Sequence, residues 1–387
     1  MEQPKLIFTR YLYSTDEVML ALLISLLNKS EKSLFWAYEL YYSGYEKELF
    51  NLIWKIYFDF YYTLNPSFYD YFAKKHKEWN KLPRGIERDK IINMIISNLL
   101  IRPHNFDIFL LKQIPKNFDI ELEIPFQNQN QNQNTKDSIP ITIIDEWLNT
   151  NNYLNIAEYV LHQCKENQLD QLLEHIISYF KFKNSKIEHK VKKNINIIKV
   201  ESRTLILAYI MLQFSILNGL TMGKKLYIIV EENEVTPFET VYSDYDSSFY
   251  PYKILPKVCL YSIDEDNYLS LFKLNRNNSS INIRDAYINH WEYYASYSPV
   301  WRERINKHNG TINHETMKID FPDDDSFEEF YDAFNYETDE QKAETQNKSI
   351  QPILNKRNWL QYYEQNKKNG LFIPDPEYLE ELTTVEY

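Results

Sequence analysis

The side chains best equipped for chemistry lie between residues 290 and 329. His290, His308 and His314 form a histidine cluster with Glu315 and Asp320 beside them, and imidazole and carboxylate together are the ligand set of zinc or iron. The spacings match neither HExxH nor HxH, so such a site would have to be assembled from separate elements. Satisfied or exposed histidines are the plainer account, and no metal or other cofactor is assigned. Next comes an acidic knot of Asp320, Asp323, Asp324, Asp325, Glu328 and Glu329. It has oxygens enough for a divalent cation but lacks the alternating ligands and central glycine of an EF-hand loop. Asp323, Asp324 and Asp325 stand where a helix N-terminus would welcome negative charge, which makes capping the simpler role.

Other motifs fail on spacing. Gly219-Leu-Thr-Met-Gly223-Lys224-Lys225 is superficially like a phosphate loop but is one residue short. It has no Ser or Thr after the lysine to hold Mg²⁺ and precedes a β-rich stretch where the motif needs a helix. No GxSxG, CxxC or Cys–His arrangement occurs in a recognisable context. One basic run, containing Lys181, Lys183, Lys186, Lys190, Lys192 and Lys193, suits phosphate backbones. It lacks the arginines for bidentate contacts, and a solvated helix face or loop accounts for it as well; Lys186, Lys190, Lys192 and Lys193 are its nucleic-acid-binding candidates.

The elements that would position these residues are mostly helices. In residues 14–66, Ser14 precedes Glu17 by a capping-box interval, and an apolar run, 18–27, follows. That run is well short of the roughly 20 residues needed to cross a bilayer. A second helix carries Leu34, Phe35, Ala37, Tyr38, Leu40 and Tyr41 up to Gly44, which suits a helix C-terminus. A third runs from about 45 to 64, with Leu49, Leu52, Ile53, Ile56 and Phe60 as a core stripe and Asn65-Pro66 as its stop. Such short links pack neighbouring helices together as a bundle or a short α-solenoid; no fixed repeat is present, so the bundle is favoured. Most aromatics are core, but aromatics also anchor interfaces. Tyr41, Tyr42 and Tyr45, at the second turn, are the surface candidates for partner binding, with Asp323, Asp324, Asp325, Glu328 and Glu329 as an acidic counterpart.

Further helices are expected at 68–79, 86–101 and 107–113. The tract Phe126-Gln-Asn-Gln-Asn-Gln-Asn-Gln-Asn134 cannot bury enough apolar surface to offset its ordering entropy, which predicts a disordered loop or linker. Helices resume over 139–182 and 203–217. Short β-rich stretches at 225–230, 238–242, 257–263 and 269–274 predict a small antiparallel sheet, and helices return at 283–295, from 300, at 326–334 and at 359–365. The fold class is α+β, predominantly α-helical. The division expected is a helical hairpin domain, 1–113, a Gln/Asn-rich linker, 114–138, a helical then α+β domain, 139–319, and an acidic tail, 320–387.

Composition bounds the rest. The chain has 387 residues, with six glycines, two cysteines and a formal net charge of −12. So few glycines argue against phosphate cradles and turn-rich β folds. Two cysteines, Cys164 and Cys259, are too few for a disulfide framework, which points to a reducing compartment. The first residues lack the pattern of a signal peptide. Residues 320–387 hold 17 acidic and 6 basic side chains, net −11, so the acidity belongs to the tail, a sign that disfavours nucleic-acid binding by that region.

Two stretches carry a resemblance: LFWAYELYYSGYEKELF at 34–50, and HWEYYASYSPVWRERINKHNG with IDFPDDDSFEEFYDAFNYETDEQ within 290–341. They resemble an uncharacterised protein family of nucleocytoplasmic large DNA viruses, the giant viruses. The resemblance implies a viral protein made in host cytoplasm or a viral factory, or packaged in virions, and brings no catalytic residues with it. The excess of Asn, Ile, Lys and Tyr fits AT-rich codons. Two readings follow. The first is a non-enzymatic adaptor or scaffold that binds viral or host complex subunits, by analogy within transcription or translation machinery. The second is a metal-dependent enzyme acting on nucleic acid or nucleotides through His290, His314 and neighbouring acids. They part on geometry: the enzyme requires those groups to meet in one cleft.

Overall fold

The apolar run at 18–27 becomes α1 (Thr15–Leu27), in which nearly every side chain is buried. Its one interior polar residue is satisfied locally, since Ser25 Oγ donates to the Ala21 carbonyl at 2.6 Å. The expected capping box does not form: Ser14 has extended backbone but makes no side-chain cap. The residues ahead of it fold back instead, and Thr15 donates from both N–H and hydroxyl to the Ile7 carbonyl, at 3.0 and 2.9 Å.

The computed structural model describes residues 6–122, 140–183, 202–239, 269–272, 281–334, 343–350 and 357–382. It is predominantly helical with one small antiparallel sheet. The first helices follow the sequence pattern: α2 (Lys32–Tyr42), α3 (Glu46–Ile56), α4 (Phe68–Trp79), α5 (Ile86–Leu100) and α6 (Asp107–Asn117). Gly44 ends α2 with φ +90°, and a Cβ there would stand 2.5 Å from Pro299 Cβ. Glycine is thus required for both conformation and space. After α3 the chain makes one wide turn over Tyr57–Tyr61, closed by the Tyr62 N–H on the Tyr57 carbonyl at 2.8 Å. The extra residue shifts the helical phase, so that Tyr57, Phe58, Phe60 and Tyr61 are all buried. Trp54 stacks on Phe72 with ring centroids 3.6 Å apart, and Phe50 stacks on His76 at 4.0 Å. Such aromatic pairs contribute about 0.5–1.5 kcal/mol each beyond area burial.

Helices α7 (Ile141–Thr150), α8 (Tyr153–Glu158), α9 (Leu169–Lys183) and α10 (Ser202–Leu217) continue the same core. The Gln/Asn tract and four lysines of the basic run, Lys186, Lys190, Lys192 and Lys193, lie outside the described residues.

A small antiparallel sheet is present as expected, but among the described residues it stands elsewhere. No strand forms at 225–230; the chain there is a strap lying on α5. Residues 236–238 form a short helical turn and Leu269–Phe272 a short helix; 240–242, 257–263 and 273–274 lie outside the described residues. Among the described residues the sheet is a hairpin of β1 (Thr311–Asn313) and β2 (Lys318–Asp320), with Ile312 opposite Ile319. Beyond it lie the helices Asp324–Phe334, Ala343–Ile350, Trp359–Asn366 and Pro376–Glu381. The last two pack back on the body: Trp359 stacks on Phe109 at 5.1 Å and donates its indole N–H to the Leu271 carbonyl at 2.8 Å. Among the described residues no helix is long and apolar enough to cross a membrane.

Candidate partner-binding groove

The strap at 223–238 and α5 together wall a hollow. The residues of α5 explain why the strap needs no partner strand. The apolar stripe of α5 carries two buried amides, Asn93 and Asn98, and these, with Arg102 just past its end, bond the strap's backbone. Asn98 accepts the Ile228 N–H at 3.1 Å and donates to the Ile228 carbonyl at 3.3 Å. Arg102, one turn on, donates to the Leu226 carbonyl at 2.8 Å, and Asn93 donates to the Glu234 carbonyl at 3.2 Å. Ser97 locks Asn93 by donating to its Oδ1 at 2.7 Å. Buried amides therefore supply the hydrogen bonds that a neighbouring strand would otherwise give.

The strap is fixed at both ends. Gly223 donates to the Leu64 carbonyl at 2.8 Å, and a Cβ at 223 would stand 1.9 Å from Asn65 Oδ1, so only glycine permits the approach. At the other end Phe238 stacks on Tyr38 at 4.8 Å, and its carbonyl accepts from Arg10 at 3.1 Å.

Between the strap, the end of α5 and the turn from α1 into α2 lies a hollow of about 950 Å³. Its floor is apolar: Leu34 and Phe35 from α2, Leu100 and Ile101 from α5, and Ile228 and Pro237 from the strap. Ile101 is 45% exposed, a large apolar side chain left open to water. Lys29, Lys32, Glu31 and Glu234 stand at the rim, all exposed. The lining contains no histidine or cysteine; its floor is apolar and its rim carries mixed charge.

The candidate residues read from the sequence fall elsewhere. Tyr41, expected at the surface, is buried, because Asp89 lies beneath it. Tyr41 and Tyr42 donate to the two oxygens of Asp89 at 2.7 and 2.9 Å, and Tyr38 donates to the Asp89 carbonyl at 2.9 Å. Burial first, and then the Asp89 charge, push the Tyr41 and Tyr42 hydroxyls far above their usual pKa. Tyr45 is half-buried, and its hydroxyl is pushed up to about 12 by burial.

The three histidines have three separate settings. His290 Nδ1 sits 3.0 Å from the Met317 carbonyl and its Nε2 lies 3.6 Å from Asp285. His308 lies 3.8 Å from Glu329 and edge-on to Phe330 and Phe334. His314 Nδ1 is 3.2 Å from the Tyr293 hydroxyl and 3.4 Å from that of Tyr297. Among the described residues no group of three or more His, Cys, Asp and Glu side chains is placed to hold a metal ion.

The acids do what a helix start asks. Asp323 accepts the Ser326 N–H at 2.7 Å, and the hydrogen bonds from Ser326 hold its carboxyl below the usual range. Asp324, Asp325, Glu328 and Glu329 are exposed and fan into solvent.

The groove's residues escaped sequence reading, although Asn93 and Asn98 do interrupt the apolar run of α5. Buried amides in such a run imply an irregular backbone packed beside it. Comparison of the chain with family models, with curated proteins and with solved structures found no match.

Proposed function

We propose that the chain is a non-enzymatic protein-binding adaptor, and that the groove between α2, α5 and the strap receives an apolar segment of a partner protein. The observation that carries this reading is Ile101, open to water at the head of a hollow floored by Leu34, Phe35 and Leu100. Covering a fully exposed Ile, Leu or Phe side chain contributes about 1.5–3 kcal/mol. Leu34, Phe35 and Leu100 are already half-buried, so a partner segment that fills this floor gains a fraction of that from each. The mixed charges of Lys29, Glu31 and Glu234 at the rim would set orientation more than affinity. The exposed face of Asp324, Asp325 and Glu328 offers a second contact, suited to a basic partner surface.

Affinity purification from the native context, followed by mass spectrometry with and without nuclease, tests the reading. A defined set of proteins that survives nuclease and is lost with Ile101→Asp, but kept with Phe182→Asp, supports it. Phe182 is 92% exposed and stands on α9, outside the groove lining, so it controls for loss of any exposed apolar group. A set unchanged by Ile101→Asp overturns the groove as the contact.

A further inference from the structure

The strap has a second edge. The Ile228 N–H and carbonyl and the Leu226 carbonyl all face α5. Residues two apart facing one side is the alternation of an extended strand. The peptide groups of Tyr227 and Ile229 therefore face the other way, and among the described residues no hydrogen bond reaches them. Leu226 is 58% and Ile229 78% exposed. This is an open β-edge on a chain already held straight by a helix, which is a template for another strand.

The sequence around it names the partner. Lys224-Lys225-Leu226-Tyr227-Ile228-Ile229-Val230-Glu231-Glu232 is charge-complementary to itself when reversed. We propose that two copies of this chain pair antiparallel along the 226–230 edge, with the two-fold axis at Ile228; beyond it the Glu231 N–H and carbonyl are already taken by Glu234. In that register Tyr227 faces Ile229 of the second copy, and each pair exchanges its two outward N–H and carbonyl groups. Ile228 faces Ile228 at a position where the peptide groups point away from the new partner, as an antiparallel ladder requires. The two lysines at one end meet the two glutamates of the other copy at both ends, whereas a parallel pairing would set lysine on lysine. Register parity and charge select the same arrangement independently. Because Asn98 and Arg102 already hold the strand, the ordering cost that makes an isolated two-stranded ribbon marginal is largely met before association.

Sedimentation of the full chain over a range of concentrations tests the pairing. The expected result is a concentration-dependent dimer that Ile229→Pro, which deletes an outward donor, weakens by about tenfold or more. Ile229→Lys, at the same exposed position, should do the same with the helical circular dichroism unchanged. Lys224→Glu should weaken the dimer, and Lys224→Glu with Glu232→Lys should restore it. Under mild oxidation Ile228→Cys should give a disulfide-linked dimer and Tyr227→Cys should not, because only position 228 meets itself across the axis. A monomer at every concentration overturns the proposal, as does a dimer indifferent to Ile229→Pro. The groove reading is separate: Ile101→Asp should leave the dimer intact, and Ile229→Pro should leave each copy's groove able to bind.

Discussion

Arg10 and Glu39 form an ion pair with almost no exposure to water, Arg10 Nε standing 2.9 Å from Glu39 Oε2. The other carboxylate oxygen accepts the Tyr11 N–H at 3.1 Å, and the Arg10 guanidinium also reaches the Phe238 carbonyl and lies over the Tyr42 ring. One arginine thus joins the start of the described chain to α2 and to the far end of the strap. Removing one member of such a pair leaves the other charge buried, which costs about 3–5 kcal/mol. Arg10→Met should lower unfolding free energy by that order in a urea titration. Arg10→Met with Glu39→Leu should recover most of it, since the unpaired charge is then gone.

Asp107 gives a pH prediction. It is fully buried and accepts the N–H groups of Leu371 at 3.0 Å and Phe372 at 3.2 Å. Burial raises its pKa to about 7, and those two donors offset only part of the effect. The folded state therefore holds this proton more tightly than the unfolded chain does, so the term weakens the fold as pH rises from about 4 to about 7. His76 and His104 act in the opposite sense: burial lowers both to about 4, so their contribution is present above pH 6.5 and is lost as pH falls to about 4. Wild-type stability across this window is a difference of opposed slopes. Asp107→Asn keeps an acceptor for both amides and removes the ionisation, so its stability should rise more steeply with pH than the wild type's. An unchanged slope would show that Asp107 does not titrate there.

Asn98 should prove the keystone of the strap. Asn98→Leu leaves the Ile228 N–H and carbonyl without their partners, and each unmet buried group costs about 1–3 kcal/mol. Amide hydrogen exchange should quicken at Ile228 while the middle of α5 stays protected. Equal protection in wild type and variant would mean that the strap is held some other way.

Gly370 is expected to tolerate nothing larger. A Cβ there would stand 2.5 Å from Asp107 Oδ1. Gly370→Ala should therefore loosen residues 370–372 from α6, seen as faster proteolysis in the C-terminal helices, with little change at α1 to α3.

The legible part of this protein is the part governed by local pattern. Apolar spacing marks α1 to α5 to within a few residues, and Gly44 and Asn65-Pro66 mark stops, because those signals act through the nearest turns of chain. What is illegible depends on partners far away in sequence. Tyr41 reads as a turn residue at the surface until Asp89, on another helix, is placed beneath it. The β-propensity of 225–230 correctly reports an extended chain but not that its neighbour is a helix. The sequence around Ser14 and Glu17 offers a cap, yet the segment ahead of α1 folds back and binds Thr15 instead. The groove draws on three separate stretches, none of which carries a motif.

The ties between Thr9 and Trp301, whose indole N–H donates to the Thr9 carbonyl at 3.0 Å, and between Asp107 and Leu371 bear on how the molecule comes to exist. Both join residues made early in translation to residues made hundreds of positions later. Contacts of such long sequence separation slow folding, because loop closure must precede them. During synthesis α1 to α6 emerge with Asp107 lacking the amides that will receive it and Thr9 lacking its indole. Until those later residues leave the ribosome, the faces of the early helices that they cover stay exposed. That interval is when a chaperone would be needed, and a stalled, shortened chain should aggregate rather than persist as a folded fragment.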